Sequence, residues 1–189
     1  MSAPSQAGAS TFGRVLGAAF DGLPAPIRDL HAPRTVLHTS GTAEIDAATG
    51  LLARLVMALL GLPRPGRDVP VEVLFEPLPG ARQAWRRRFG DRRYASIVWP
   101  HEADGAGLLA ERLGVFTLIY RLEVEPRGLV WRGRSCRILG MPAPDWLMPR
   151  ILCIESADGG RFTFDIDVTM PLIGWLIRYR GWLCERCQA

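Results

Sequence analysis

The stretch "WRRRFGDRRYAS", residues 85–96, sets five arginines among Trp85, Phe89 and Tyr94, and its reading decides the fold. A continuous basic patch with interleaved aromatics would grip nucleic acid through phosphate contacts and base stacking. A hairpin turning at Gly90-Asp91 divides the same residues between two faces, because glycine at the first central position suits a type II′ turn. Phe89 then opposes Arg92, Arg87 opposes Tyr94 and Trp85 opposes Ser96, all on one face. Arg86, Arg88 and Arg93 point the other way. Burying two large aromatics is worth several kcal/mol, whereas exposing arginines costs almost nothing, so the aromatic face is the inner one. Nucleic-acid binding is therefore not expected: the outward arginines have no aromatics beside them and read as a solvated edge.

Working outward, the chain reads mainly as strands. "DVPVEVLFE" puts Val69, Val71, Val73 and Phe75 on one face, with Leu74 the exception on the other. Residues 115–124 set Phe116, Leu118, Tyr120, Leu122 and Val124 in one row, and further strands are expected at 34–46, 129–139 and 150–156. In 161–169, Phe162, Phe164, Ile166 and Val168 alternate with Arg161, Thr163, Asp165 and Asp167. The segment "PLIGWLIRYRGWL" carries Gly174 and Gly181 with β-branched and aromatic residues, which favours a strand there also. Short turns such as "PLPG", "EPRG" and "ADGG" join these runs, while "GMPAPDWLMP" reads as a loop or short helix. The sum is eight or nine antiparallel strands.

So many hairpins in sequence predict a curved antiparallel sheet closing into a lipocalin or fatty-acid-binding-like β-barrel, since closure removes exposed edges. Helices gather near the N-terminus, at 11–22 with Phe12, Val15, Leu16 and Phe20, and in "APIRDLH". A helix over 50–62, apolar on nearly every face with Arg54 its only charge, is expected to lie buried over one end of the barrel; a membrane-surface helix is the lesser reading. The class is thus mainly β with some α. The alternative is a helix-grip, START-like fold, in which 170–185 forms a long helix against the sheet.

The 189 residues fit a single domain over 11–189 after a loose tail at 1–10, and 48% hydrophobic content with 22% charge is globular. The net charge of +4 is mild, and all 23 basic residues are arginine with no lysine, which coding bias explains as well as function does. The chain reads as cytoplasmic: it opens on no secretion signal, its apolar runs are too short to cross a membrane, and its four cysteines are expected to be reduced.

"LPAPIRDLH", the apolar helix ending "LLGLP", then Trp85, Arg87, Phe89 and Gly90 followed by Tyr94 and Ser96 form an ordered set. "E-x-x-G" at Glu111 and Gly114, "MPAPDWLMP", "FTFDI", and "Y-x-G-x-L" at Tyr179, Gly181 and Leu183 continue it. Together they resemble the bacterial domain of unknown function family numbered 4166 over about residues 23–183. The resemblance implies a domain found alone or fused behind saccharopine-dehydrogenase-like domains. It carries over no catalytic residue, because the family has no assigned activity. A phosphate-cradling G-x-G-x-x-G is not among the motifs, and no cofactor is expected.

Arg87, carried inward between Trp85 and Phe89, is the residue on which function turns. A buried guanidinium needs a counter-charge. Glu111 is the first protein candidate, with Asp165 and Glu155 as alternatives; a ligand carboxylate or phosphate is the other possibility, and both stay open. The expected function is binding of a hydrophobic or anionic small molecule in an internal cavity. Trp85, Arg87, Phe89, Tyr94, Ser96, Glu111, Phe116, Tyr120 and Phe164 would line it, with Phe162 also facing in. The alternatives are a module with a solid interior that docks on a dehydrogenase-type partner, and an enzyme of unknown reaction. "CERC" at 184–187, with Cys136 and Cys153 single on separate strands, makes no metal site. His31, His38 and His101 are scattered, and the pairs His101 with Glu102 and Asp165 with Asp167 are too weak to assign catalysis.

Overall fold

A computed structural model describes residues 10–101 and 107–185. Its eleven strands are β1 (Leu37–Ala47), β2 (Gly66–Leu78), β3 (Arg82–Phe89), β4 (Arg92–Pro100), β5 (Leu108–Leu113), β6 (Phe116–Glu125), β7 (Gly128–Ile138), β8 (Met141–Pro142), β9 (Arg150–Asp158), β10 (Arg161–Met170) and β11 (Gly174–Glu185). Neighbours pair antiparallel around a ring, which closes where β1 meets β11 and β6 meets β7. Ten strands form the closed barrel, of lipocalin or fatty-acid-binding-like architecture, and β8 extends the edge of β7. The helix-grip alternative is overturned, since 174–185 is a strand paired on both sides.

The two strands beyond the nine runs read from the sequence are β5 and β8. Leu108, Leu109 and Ala110 are all buried, so β5 shows no alternation to read. Its outer residues Leu108 and Ala110 form a small separate cluster with Ile119 and Trp99. The β1–β11 seam is tight. A Cβ on Gly41 would stand 1.8 Å from the Trp182 carbonyl oxygen, and one on Gly181 2.2 Å from that of Thr42. Only glycine allows these backbones to approach so closely.

Three helices complete the fold: α1 (Thr11–Leu16), α2 (Ala25–His31) and α3 (Leu51–Leu59). The single helix expected over 11–22 is in fact α1 followed by a 3-10 segment, Gly17–Gly22, because Gly17 turns into the left-handed region at φ 58°. Of the tail, only Ser10 lies among the described residues, where its Oγ accepts the Gly13 N–H and caps α1.

The ends of the barrel differ. One is plugged by α1, the 3-10 segment and α2, which bury Phe12, Phe20, Ile27 and Leu30 in the main core. Thr11 ties this plug to the β2–β3 turn by donating to the Ala81 carbonyl at 3.0 Å. The other end is crossed by α3 between β1 and β2, and here the expectation of a buried helix is corrected. α3 turns Ala53 and Met57 inward but leaves Leu51, Leu52, Leu55 and Leu59 exposed. It is shorter than 50–62 because the chain leaves the helix after Leu59 and Gly61 turns to φ 65°. Among the described residues no helix is long and apolar enough to cross a membrane.

Candidate functional site

The β3–β4 register is the one the hairpin predicts: Phe89 opposite Arg92, Arg87 opposite Tyr94 and Trp85 opposite Ser96. Outside the barrel the arginines form ion pairs, Arg86 with Glu76 at 3.0 Å and Arg88 with Glu72 at 3.4 Å on the neighbouring strand. Inside, Arg87 keeps only 14% of its side-chain surface exposed. Its guanidinium donates to Glu111 at 2.9 Å and to Ser96 at 2.8 Å. It also lies over the Trp85 ring at 4.6 Å and near the Tyr94 ring at 5.4 Å, a cation held against π faces. Of the counter-charges considered, Glu111 is the one that neutralises Arg87. Asp165 instead faces outward and pairs with Arg178 across the β10–β11 ladder at 2.8 Å.

Burial opposes the charge on Arg87, but the Glu111 carboxylate, with Tyr94 and Tyr179, outweighs it, and the guanidinium holds its proton more tightly than usual. Burial raises the Tyr120 phenol well above its ordinary pKa, and the neighbouring Glu111 carboxylate reinforces the effect. Tyr179 is raised in the same way by burial and by Tyr94, to which its hydroxyl hydrogen-bonds. Near neutral pH these phenols are therefore neutral donors beside an ion pair.

The group borders an interior cavity of about 380 Å³. Val71, Val73, Phe75, Leu118, Phe162 and Ile166 supply much of its wall, so the lining is overwhelmingly apolar. Of the residues expected to line it, Trp85, Arg87, Phe89, Tyr94, Glu111, Phe116, Tyr120 and Phe164 do so; Ser96 is buried behind them, bonded to Arg87. The cavity reaches the α3 end, where Val56 and Leu59 of α3 line it together with Leu147 and Pro149. A separate groove of about 630 Å³ runs outside the wall beside Arg14, Arg82, His101 and Arg112. Glu102 of the His101–Glu102 pair lies outside the described residues.

A second polar pair was not legible as such. Glu155 on β9 lines the cavity, and its Oε2 lies 2.6 Å from Nε2 of the fully buried His31 on α2. The His31 ring stacks on Phe12 at 3.8 Å and lies 5.6 Å from Trp85, so the plug helices fix it. Buried without a partner among the described residues are His31 Nδ1 and the indole nitrogen of Trp131, a cavity-lining residue. In sequence, His31 is one histidine in a short helix and Glu155 one acid in a strand; only their 124-residue separation closed by the fold makes them a unit. Tyr179 could have been found, since it shares the inner row of Gly181 and Leu183 on β11.

Cys153, beside Glu155 in the wall, is pushed well up by burial, reinforced by Glu155 and Glu111, so it carries no reactive thiolate. Cys136 and Cys153 line the cavity as free thiols, while Cys187 lies outside the described residues. No group of three or more metal-ligating side chains occurs among the described residues.

The profile of the domain of unknown function DUF4166 matches residues 23–183, which spans the barrel from the plug to β11. The chain belongs to this family. Arg87, Glu111, Glu155 and Tyr179 all fall inside the DUF4166 match, whereas α1 and Phe12 precede it. No curated protein and no solved structure matches the chain.

Proposed function

We propose that this DUF4166 domain binds a hydrophobic small molecule inside its barrel. The supporting observation is the cavity of about 380 Å³ with largely apolar walls, a polar corner at Arg87, Glu111 and Tyr120, and Glu155 held by His31. Because Glu111 already neutralises Arg87 and Glu155 adds another carboxylate to the wall, a doubly charged phosphate fits poorly. The reading narrows to an apolar molecule with a neutral or singly charged acceptor group, met by the Tyr94 hydroxyl and the free N–H groups of Arg87, since the Tyr120 hydroxyl donates to Glu111.

The void favours this over a docking module for a dehydrogenase-type partner, which calls for a solid interior. It is also favoured over an enzyme, because burial pushes both cavity thiols, Cys136 and Cys153, away from the thiolate form and Arg87 and Glu111 hold each other. Native mass spectrometry of protein purified without detergent tests the proposal. A retained apolar molecule, or saturable uptake of a fluorescent fatty acid quenched by Trp85, is the expected result. Protein that carries nothing and takes up no apolar probe would overturn it.

A further inference from the structure

Ten of the thirteen large apolar side chains exposed among the described residues lie at the α3 end of the barrel. α3 contributes Leu51, Leu52, Leu55 and Leu59. The β7–β9 connection adds Met141 and Trp146, and the β10–β11 turn adds Leu172, which is 83% exposed. A soluble surface rarely gathers so much apolar area in one place without something to cover it.

The charges at this end point to what that is. Arg54, Arg93, Arg137 and Arg150 are exposed there, and none pairs with an acid among the described residues. Arg92 beside them has a buried Nε without a partner. The acids Asp91 and Asp46 are taken by Arg64 and Arg67 and Asp167 accepts from the Trp175 indole, which leaves Asp68 and Asp145 against a larger number of cations. Leucines and a tryptophan ringed by arginines match an anionic membrane interface, whose acyl boundary takes the former and whose phosphates take the latter. A second copy of the chain is disfavoured, because a two-fold contact would set the same arginines against each other.

We propose that the α3 end docks on the surface of an anionic lipid bilayer, with α3 and Trp146 entering the interface and the unpaired arginines meeting lipid phosphates. The barrel does not cross the bilayer; it rests on it by the end at which its cavity meets α3. This docking is independent of whether the cavity holds a ligand.

Flotation with vesicles of phosphatidylcholine, alone or mixed with phosphatidylglycerol, tests it. The protein is expected to float with the mixed vesicles, weakly with phosphatidylcholine alone, and less as salt is raised. L55D/L59D should cut partitioning at least about tenfold, through lost burial of two leucines. R137A/R150A should cut it about fivefold per arginine on the mixed vesicles only. An unchanged thermal midpoint will show that each variant is folded, and W146S gives an independent apolar variant on another segment. No flotation with mixed vesicles, or flotation that L55D/L59D leaves unchanged, would overturn the proposal. So would sedimentation showing that these substitutions dissolve a dimer that does not float.

Discussion

At the plugged end Phe12, Phe20 and Ile27 are fully buried, whereas at the α3 end Leu51 and Leu59 are 84% and 83% exposed. Both ends are covered by short helices, of which α3, with Arg54 its one polar residue, is the more apolar. The plug helices are anchored inside the ring, by Phe12 stacked on His31 and His31 bonded to Glu155, so their apolar side chains have partners from several strands. α3 spans from one strand to the next above the cavity, and only its Ala53 and Met57 face has something to pack on. A helix apolar all round, placed where only one side has a partner, must expose the other. One end is thus anchored in the core and the other presents apolar side chains to solvent.

The sharpest way to break this contrast is at the plug. Phe12→Ala should cost about 4 kcal/mol of unfolding free energy, from lost transfer and the cavity left beside His31, Trp85 and Trp131, read as a fall in the urea midpoint. A loss below about 1 kcal/mol would mean the plug is not part of the cooperative core.

Between the ends, Glu111→Leu leaves Arg87 without its carboxylate and should cost about 3 kcal/mol. R87M/E111L removes both charges and is expected to recover most of that loss. If the double variant were as unstable as the single one, the polar corner would be holding the barrel by more than charge compensation.

The raised phenols predict an alkaline limit. Tyr94, Tyr120 and Tyr179 hold their protons more tightly folded than unfolded, chiefly through burial. Their contribution to stability is complete below the unfolded value near 10 and is lost as pH rises above it, when the unfolded chain releases protons that the folded one keeps. Each such group adds a slope of up to about 1.4 kcal/mol per pH unit, so Y120F/Y179F should flatten the fall in denaturant midpoint above that pH.

The smallest effect belongs to the α3 end. L55S/L59S should change folding stability by less than about 0.5 kcal/mol, because those side chains are already in water. Equality with the Phe12→Ala loss would erase the distinction between the ends.

Much of the barrel was legible because period-two rows recur along the chain: the β3–β4 hairpin, β10, and the inward path of Arg87 follow from alternation and from the cost of exposing Trp85 and Phe89. β5 was not, since a strand buried on both faces has no alternation, and β8 is only two residues long. The partner of Arg87 was foreseen as one of several acids, but Glu111 is selected only because β4 and β5 set Val98 opposite Glu111 and thereby bring that acid beside the row of Ser96 and Arg87.

The sequence by itself determined the alternating strands, though not β5 and β8, together with the faces of the central hairpin and the burial of one guanidinium, because these rest on neighbours in the chain and on the period of two. Only the tertiary structure decided that His31 meets Glu155, that Asp165 turns away to Arg178, and that the leucines of α3 stand in solvent. Each depends on which distant elements the closed ring brings together and on how much of a helix the barrel's end has surface to cover.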